Sequence, residues 1–271
     1  MDASLEELLE LVRTAAAAPA GMILGEFRSA ELRVDLKADG SVVTRCDRQA
    51  ERLIRELVAK AGPWPLLGEE FGLGESHVTA PTHRWVLDPI DGTLGFTRGL
   101  PTFGTLLAFE SLQPQRALVG AIHLPVAAET YSAARGLGAW CNGVPIRVAP
   151  QRSIRECIVA HVPPANFERA RMLAGFERLM RAGSHLRGCH DCWSHAMAAR
   201  GALDALVELG LNRWDIAATE VIVEEAGGAC RIRRSHYGPG KYDVVLGNVH
   251  AVDEVARIIG FDAAPADWAS R

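Results

Sequence analysis

Trp85-Val86-Leu87-Asp88-Pro89-Ile90-Asp91-Gly92-Thr93 is the stretch on which the reading of this chain turns. An apolar run carries the chain to Asp88 as a predicted strand and Pro89 ends it, so Asp88 and Asp91 are expected on the tight turn that leaves the strand. Asp88, Asp91 and the carbonyl of Ile90 can then converge on one point. Such oxygens suit a hard divalent cation, and Mg²⁺ in particular is held by a few carboxylates, with phosphate and water completing its shell. The N–H groups of Gly92 and Thr93 are expected to face outward as anion donors. Taken alone, Asp-Pro and Asp-Gly are ordinary turn formers.

Two further acidic stretches change that reading. Gly68-Glu69-Glu70 follows the short apolar segment Pro65-Leu66-Leu67, which places the glutamates at the end of another strand. Trp214-Asp215-Ile216-Ala217-Ala218 opens a helix in which Ile216, Val221, Ile222 and Ala226 repeat at helical spacing. Asp215 falls in its first turn, where the dipole favours a carboxylate even without a metal.

In this order the three motifs resemble the inositol monophosphatase superfamily of Mg²⁺-dependent phosphomonoesterases, from about Leu5 to Phe261. The resemblance implies two or three Mg²⁺ ions per active site. Glu69, Asp88 and the Ile90 carbonyl match ligands of the first ion, Asp88, Asp91 and Asp215 those of the second, and Glu70 a residue associated with a weaker third. Lys37-Ala-Asp-Gly-Ser-Val-Val-Thr44-Arg-Cys-Asp47 resembles the family's N-terminal segment. The expected catalytic residues are Asp47, Glu69 and Thr93, with Asp47 and Thr93 matching the pair that orients the attacking water. Gly92 and Thr93 are expected to hold the phosphate. Lys37 is either a solvated loop cation or, by its family match, a supporting group near the metals. The resemblance also implies a homodimer and a layered α-β-α-β-α sandwich.

Composition agrees with an enzyme of that kind. The chain has 271 residues, 48% of them hydrophobic, enough for one large core or two modest ones. The net charge of −4 comes without a basic stripe or aromatic platform, which argues against nucleic-acid binding. No apolar run is expected to span a bilayer. Asp2, Glu6, Glu7 and Glu10 stand where a secretory signal needs basic charge, so a cytoplasmic setting without a membrane is expected.

The pattern divides the chain into an α+β half, 1–150, carrying Glu69, Asp88 and Asp91, and an α/β half, 151–271, carrying Asp191, Glu208 and Asp215, for an α/β fold class overall. Helices are predicted over 4–24, 45–60, 167–181, 192–200, 214–226 and 249–259. Strands are predicted over 84–88, 102–110, 117–124, 129–134, 154–161, 185–189, 203–208, 229–234 and 242–247.

The substrate alcohol is read from Cys189-His190-Asp191-Cys192-Trp193. In inositol monophosphatases the position matching Asp191 is typically small, whereas a carboxylate here, together with Glu208, attracts an ammonium. The segment from Cys189 to Gly201 is similar to that of the inositol-monophosphatase-like histidinol-phosphate phosphatases, as is Phe96 to Ala108. Both matches favour L-histidinol phosphate, a small phosphorylated metabolite, with inositol-1-phosphate or another sugar phosphate as the alternative. Asn212, where inositol monophosphatases often have His, is the third expected substrate contact. Asp191 has a second reading as a helix N-cap. Cys189 and Cys192 with His195 could hold Zn²⁺ or form a redox pair, but no second Cys/His pair at finger spacing accompanies them. A noncatalytic metal or thiol regulatory module would require a lost ligand, and every ligand position is filled.

Overall fold

The computed structural model describes residues 3–74, 80–183 and 185–262. In chain order the elements are α1 (Leu5–Ala17), α2 (Ala20–Glu26), β1 (Val34–Leu36), β2 (Val42–Thr44), α3 (Arg45–Val58), β3 (Leu66–Gly68), β4 (Gly72–Leu73), β5 (His83–Asp91), α4 (Thr93–Thr97), β6 (Gly104–Leu112), β7 (Gln115–Leu124), β8 (Glu129–Ala134), β9 (Gly138–Cys141) and β10 (Val144–Pro145). There follow β11 (Ile158–His161), α5 (Pro164–Arg169), α6 (Leu173–Arg181), β12 (His185–Arg187), α7 (Asp191–Ala199), β13 (Ala205–Leu211), α8 (Arg213–Glu225), β14 (Ala229–Arg234), β15 (Tyr242–Gly247) and α9 (Val249–Ile259).

Two compact units divide the chain, and they are not the continuous halves 1–150 and 151–271. The first comprises Met1–Pro145, Asp191–Trp193 and Trp214–Glu225; the second comprises Ile146–His190, Ser194–Arg213 and Ala226–Arg271. Asp191 and Asp215 therefore belong with the first unit. The packing of α8 shows why: a Cβ at Gly120 on β7 would lie 2.8 Å from the Ala218 Cα, so the helix backbone rests directly on that strand.

The first unit is built on an eight-stranded sheet of order β10-β9-β8-β7-β6-β5-β3-β4, antiparallel except where β3 runs parallel to β5. Val119 and Ala121 alternate with Gly120 and pack with Leu8, Val12 and Ala15 of α1 and Ile54 of α3, while Gly120 meets α8. The second unit has a five-stranded mixed sheet, β12-β11-β13-β15-β14, whose core joins Phe167 of α5, Phe176 of α6 and Val252 of α9.

Several boundaries differ from the sequence reading. The predicted helix 4–24 is broken at Pro19, which lacks the N–H needed to continue α1. The stretch Leu5–Glu26 is, by length and composition, apolar enough to cross a membrane, contrary to the expectation for this chain. Leu8, Val12, Ala15, Ala16 and Ile23 from it are buried in the first unit's core. The predicted helix 167–181 is two helices, separated where Arg171 adopts φ 58°. The strand carrying Asp88 does not end at Pro89 but runs to Asp91.

Candidate metal centre and active site

Strand β5 passes through Pro89 because its pairing with β6 slips there. Asp88 pairs with Leu106 and Asp91 with Gly104, so the segment holds one extra residue, and the missing proline N–H falls inside the bulge. The freed Pro89 carbonyl accepts from Thr105 Oγ1 at 2.8 Å, and Asp88 Oδ1 accepts from the Ile90 N–H at 3.0 Å. This kink turns two carboxylates that a regular strand would hold at its own spacing toward a common point. Gly92 follows with φ 82°, and a side chain there would meet the Thr102 carbonyl at 3.1 Å.

Asp88, Asp91 and Asp215 each offer a carboxylate oxygen within 4.8 Å of the others. Asp88 is 2% exposed. Burial, then the charges of Glu69, Asp91 and Asp215, push its carboxyl well above the ordinary carboxylate range. Oxygen-only donors crowded at mutual cost fit a hard divalent cation, which would relieve that repulsion. The Cys192 N–H donates to Asp91 Oδ2 in a short hydrogen bond, fixing that carboxylate from α7.

The parallel pairing of β3 with β5 brings Glu69 and Glu70 to the same sheet end. Lys37 Nζ donates to Glu69 Oε1 at 2.8 Å and to Glu70 Oε1 at 2.5 Å. Burial disfavours the ammonium, but its hydrogen bonds and charge contacts with both glutamates prevail and raise its pKa. Burial likewise raises Glu70, against the pull of Lys37. Lys37 is thus a supporting group at the glutamates rather than a solvated loop cation.

At the start of α3, Thr44 and Asp47 form a capping box: Asp47 Oδ2 accepts from Thr44 N–H at 2.8 Å and Thr44 Oγ1 at 2.6 Å. The other oxygen, Oδ1, stands 3.3 Å from Thr93 Oγ1, which also lies 2.8 Å from the Ile90 carbonyl. Burial raises the Asp47 pKa against its Thr44 hydrogen bonds. Asp47, Glu69, Glu70, Asp88, Ile90, Asp91, Gly92, Thr93 and Asp215 therefore all belong to the first unit.

Asp191 belongs to the same unit, and its Oδ2 lies 3.4 Å from the Cβ position of Gly92. It is not the N-cap: His190 occupies that position, and Asp191 is the first helical residue, with φ 65°. Asp tolerates this left-handed conformation better than most side chains. In the second unit, Glu208 is buried on β13, and its Oε1 lies 3.1 Å from His195 Nε2, so His195 has a carboxylate partner that its spacing from the cysteines did not suggest. Asn212 follows β13 in that unit.

Sequence reasoning missed Glu51. Fully buried on α3, it accepts from the Glu70 N–H at 2.8 Å and the Phe71 N–H at 3.2 Å. The signal was Asp47-x-x-x-Glu51-x-x-x-Arg55, three charges on one helical face otherwise lined by buried residues.

The model of the inositol monophosphatase family matches residues 4–257. The chain belongs to that family. Within it, the chain is 35% identical over 240 residues to a histidinol-phosphatase of Chlorobaculum parvum, covering 85% of this chain and 86% of that protein. It is 32% identical over 234 residues to an inositol-1-monophosphatase of Rhizobium meliloti, covering 84% and 86%. Among solved structures, the extragenic suppressor protein suhB of Bartonella henselae is similar with a TM-score of 0.83 and 27% identity, over 95% of this chain and 99% of that one. Membership in the inositol monophosphatase family makes this α/β protein a phosphatase, in accord with its convergent carboxylates.

Proposed function

We propose that this chain is a Mg²⁺-dependent phosphomonoesterase that hydrolyses L-histidinol phosphate to L-histidinol and phosphate. The observation that carries the phosphatase chemistry is the convergence of Asp88, Asp91 and Asp215. Glu69, Glu70 and the Ile90 carbonyl complete the donor set in this reading. Divalent cations, when bound, supply Lewis-acid charge against the phosphoryl and leaving-group oxygens. Phosphoryl transfer otherwise asks the protein mainly for positioning and electrostatics.

The chain's own groups account for the water. The Thr93 hydroxyl has one hydrogen, and its closer acceptor is the Ile90 carbonyl. Its oxygen and Asp47 Oδ1 then remain to accept hydrogens from a water set for in-line attack, while Thr44 holds Asp47 Oδ2 in place. Burial, which raises the Asp47 pKa, makes it a better proton acceptor than an exposed aspartate. Gly92 and Thr93 N–H groups are assigned to the phosphate.

Asp191 supports the choice of alcohol. Its carboxylate beside the Gly92 turn suits a substrate that carries an amine close to its phosphate, since an ammonium adds charge attraction to the hydrogen bond that a polyol hydroxyl could also donate. The 35% identity to a histidinol-phosphatase favours the same reading. Glu208 enters it through its family match alone, and Asn212 only through its position, where inositol monophosphatases often have His. Inositol-1-phosphate is the second reading, favoured by the 32% identity to an inositol-1-monophosphatase.

Phosphate release from histidinol phosphate, inositol-1-phosphate and the phosphomonoester of a simple uncharged alcohol, with Mg²⁺, with chelator and with Li⁺ as competitor, tests the proposal. Turnover of inositol phosphate without histidinol phosphate selects the second reading, and no Mg²⁺-dependent release from any ester overturns both. A cytoplasmic homodimer belongs to the same proposal, and light scattering on the purified protein checks its mass.

A further inference from the structure

Glu69 and Glu70 sit in the short turn that joins β3 to β4, a place where a chain is ordinarily free to flex. The Glu69 N–H still bonds to the sheet, through the Leu87 carbonyl at 3.2 Å. The next two N–H groups turn away from the sheet and toward α3, where Glu51 takes Glu70 on Oε2 and Phe71 on Oε1. Arg55, one helical turn on, fixes that carboxylate: its Nε and Nη2 donate to Oε1 at 2.9 and 2.7 Å. The same guanidinium reaches both flanking strands, donating to the Leu66 carbonyl at 3.2 Å and the Gly72 carbonyl at 2.7 Å.

The fit leaves no room at Gly68. A Cβ there would stand 2.1 Å from Glu51 Oε1, so the residue before the two glutamates must be glycine for the carboxylate to reach their backbone. Asp47, Glu51 and Arg55 lie at successive turns on one side of α3, which therefore positions both Asp47 and the glutamate turn.

We propose that Glu51, held by Arg55, is a positioning residue that sets the geometry of Glu69 and Glu70 for cation binding. The inference rests on the divalent-metal reading of the site and extends it. A buried carboxylate that accepts two successive backbone N–H groups holds the ligand-bearing peptide in one orientation, and partners behind metal ligands typically govern metal affinity by about 10–100-fold.

Metal-free protein titrated with Mn²⁺, with the free ion counted by electron paramagnetic resonance, tests this. Glu51→Gln keeps the volume but replaces one acceptor oxygen by a donor, and it should weaken Mn²⁺ binding by about 10-fold or more. Arg55→Lys should weaken it in the same direction, by less. Glu110→Gln is the control, because Glu110 is also fully buried in an ion pair, with Arg84, elsewhere on the same sheet. It should lower the unfolding temperature and leave Mn²⁺ affinity unchanged. At saturating metal, Glu51→Gln should recover most of its kcat. Wild-type affinity in both Glu51→Gln and Arg55→Lys, or equal weakening in the Glu110→Gln control, overturns the positioning role. Failure of the wild-type chain itself to bind Mn²⁺ overturns the parent reading instead, so the two failures are distinct.

Discussion

The Cys192 N–H donates to Asp91 Oδ2, joining the start of α7 to a carboxylate 101 residues earlier. The donor is a backbone group, so the side chain is dispensable for it. Burial, then the charges of Asp91 and Asp191, raise the thiol well above its ordinary range, which makes it a poor nucleophile. Native protein treated with iodoacetamide should therefore stay unmodified at Cys192 and keep its Mg²⁺-dependent turnover. Cys192→Ala should retain activity to within about 10-fold, since it loses packing and a weak Sγ–H hydrogen bond to the Asp91 carbonyl at 3.8 Å but keeps the N–H donor. Mass spectrometry of alkylated peptides with a parallel phosphate assay checks both, and loss of turnover on labelling Cys189 or Cys192 would revive the thiol reading.

Asp88→Asn and Asp215→Asn each remove one charge from the cluster without changing its volume. Turnover should fall by about 10³-fold or more in either. The metal-free Asp88→Asn protein should nonetheless melt above the metal-free wild type at neutral pH, because the deleted charge is the one most opposed by burial and by its neighbours. Calorimetry with chelator present reads this, and an unchanged or lower midpoint would contradict the electrostatic account.

Asp47, Glu70 and Asp88 are all raised above the values they would have in an unfolded chain. Their contribution to stability is then greatest in acid, below the unfolded carboxylate range, and is lost as pH climbs through the raised folded values. The metal-free protein should thus lose stability between about pH 5 and pH 8, and added Mg²⁺ should restore more at the upper end than at the lower. Melting curves at both pH values, with Mg²⁺ and with chelator, decide it. Equal Mg²⁺ stabilisation at both would show that these groups are not coupled to the ion.

Much of this site is visible in the letters of the sequence. Asp88, Asp91 and Asp215 could be picked out because their motifs, with Gly68-Glu69-Glu70, occur together in the order that resembles the inositol monophosphatase family. The path of β5 through Pro89 could not, because a bulge is defined by the partner strand. The hairpin of β1 and β2 escaped notice too, since β1 is exposed along its length and its Val34-Asp35-Leu36 alternation is too short to mark a strand. Cys192 acts on Asp91 through a peptide N–H, which every non-proline residue carries. Glu51 was hidden for a different reason: a buried glutamate and a solvated one are spelled alike until the glycine opposite is known to need the space.

Lys37 is the positive charge between Glu69 and Glu70, and its raised pKa means that its own titration leaves its contribution constant below the ordinary lysine range and removes it only as pH rises beyond. Lys37→Met should lower metal-free stability by about 1–2 kcal/mol near pH 9, and by less where acid protonates its Glu70 partner. Saturating Mg²⁺ should shrink that deficit, because the ion takes over the neutralisation. Urea titrations of both proteins measure it, and a deficit indifferent to Mg²⁺ would separate Lys37 from the metal ligands.

Asp191→Asn isolates charge from conformation, since Asn also tolerates the left-handed backbone that Asp191 adopts. KM for histidinol phosphate should rise by about 10–100-fold, the worth of a charged hydrogen bond, with KM for the phosphomonoester of an uncharged alcohol shifted far less. Equal shifts for both esters would remove Asp191 from alcohol selection.

The first unit takes Asp215 and the helix over Gly120 from a segment made long after its own sheet. A nascent polypeptide released only as far as β10 has every strand of that sheet but neither its last acidic donor nor the cover for β7. The acidic cluster thus comes together late in synthesis, and no N-terminal fragment that stops short of Asp215 can carry it to another scaffold.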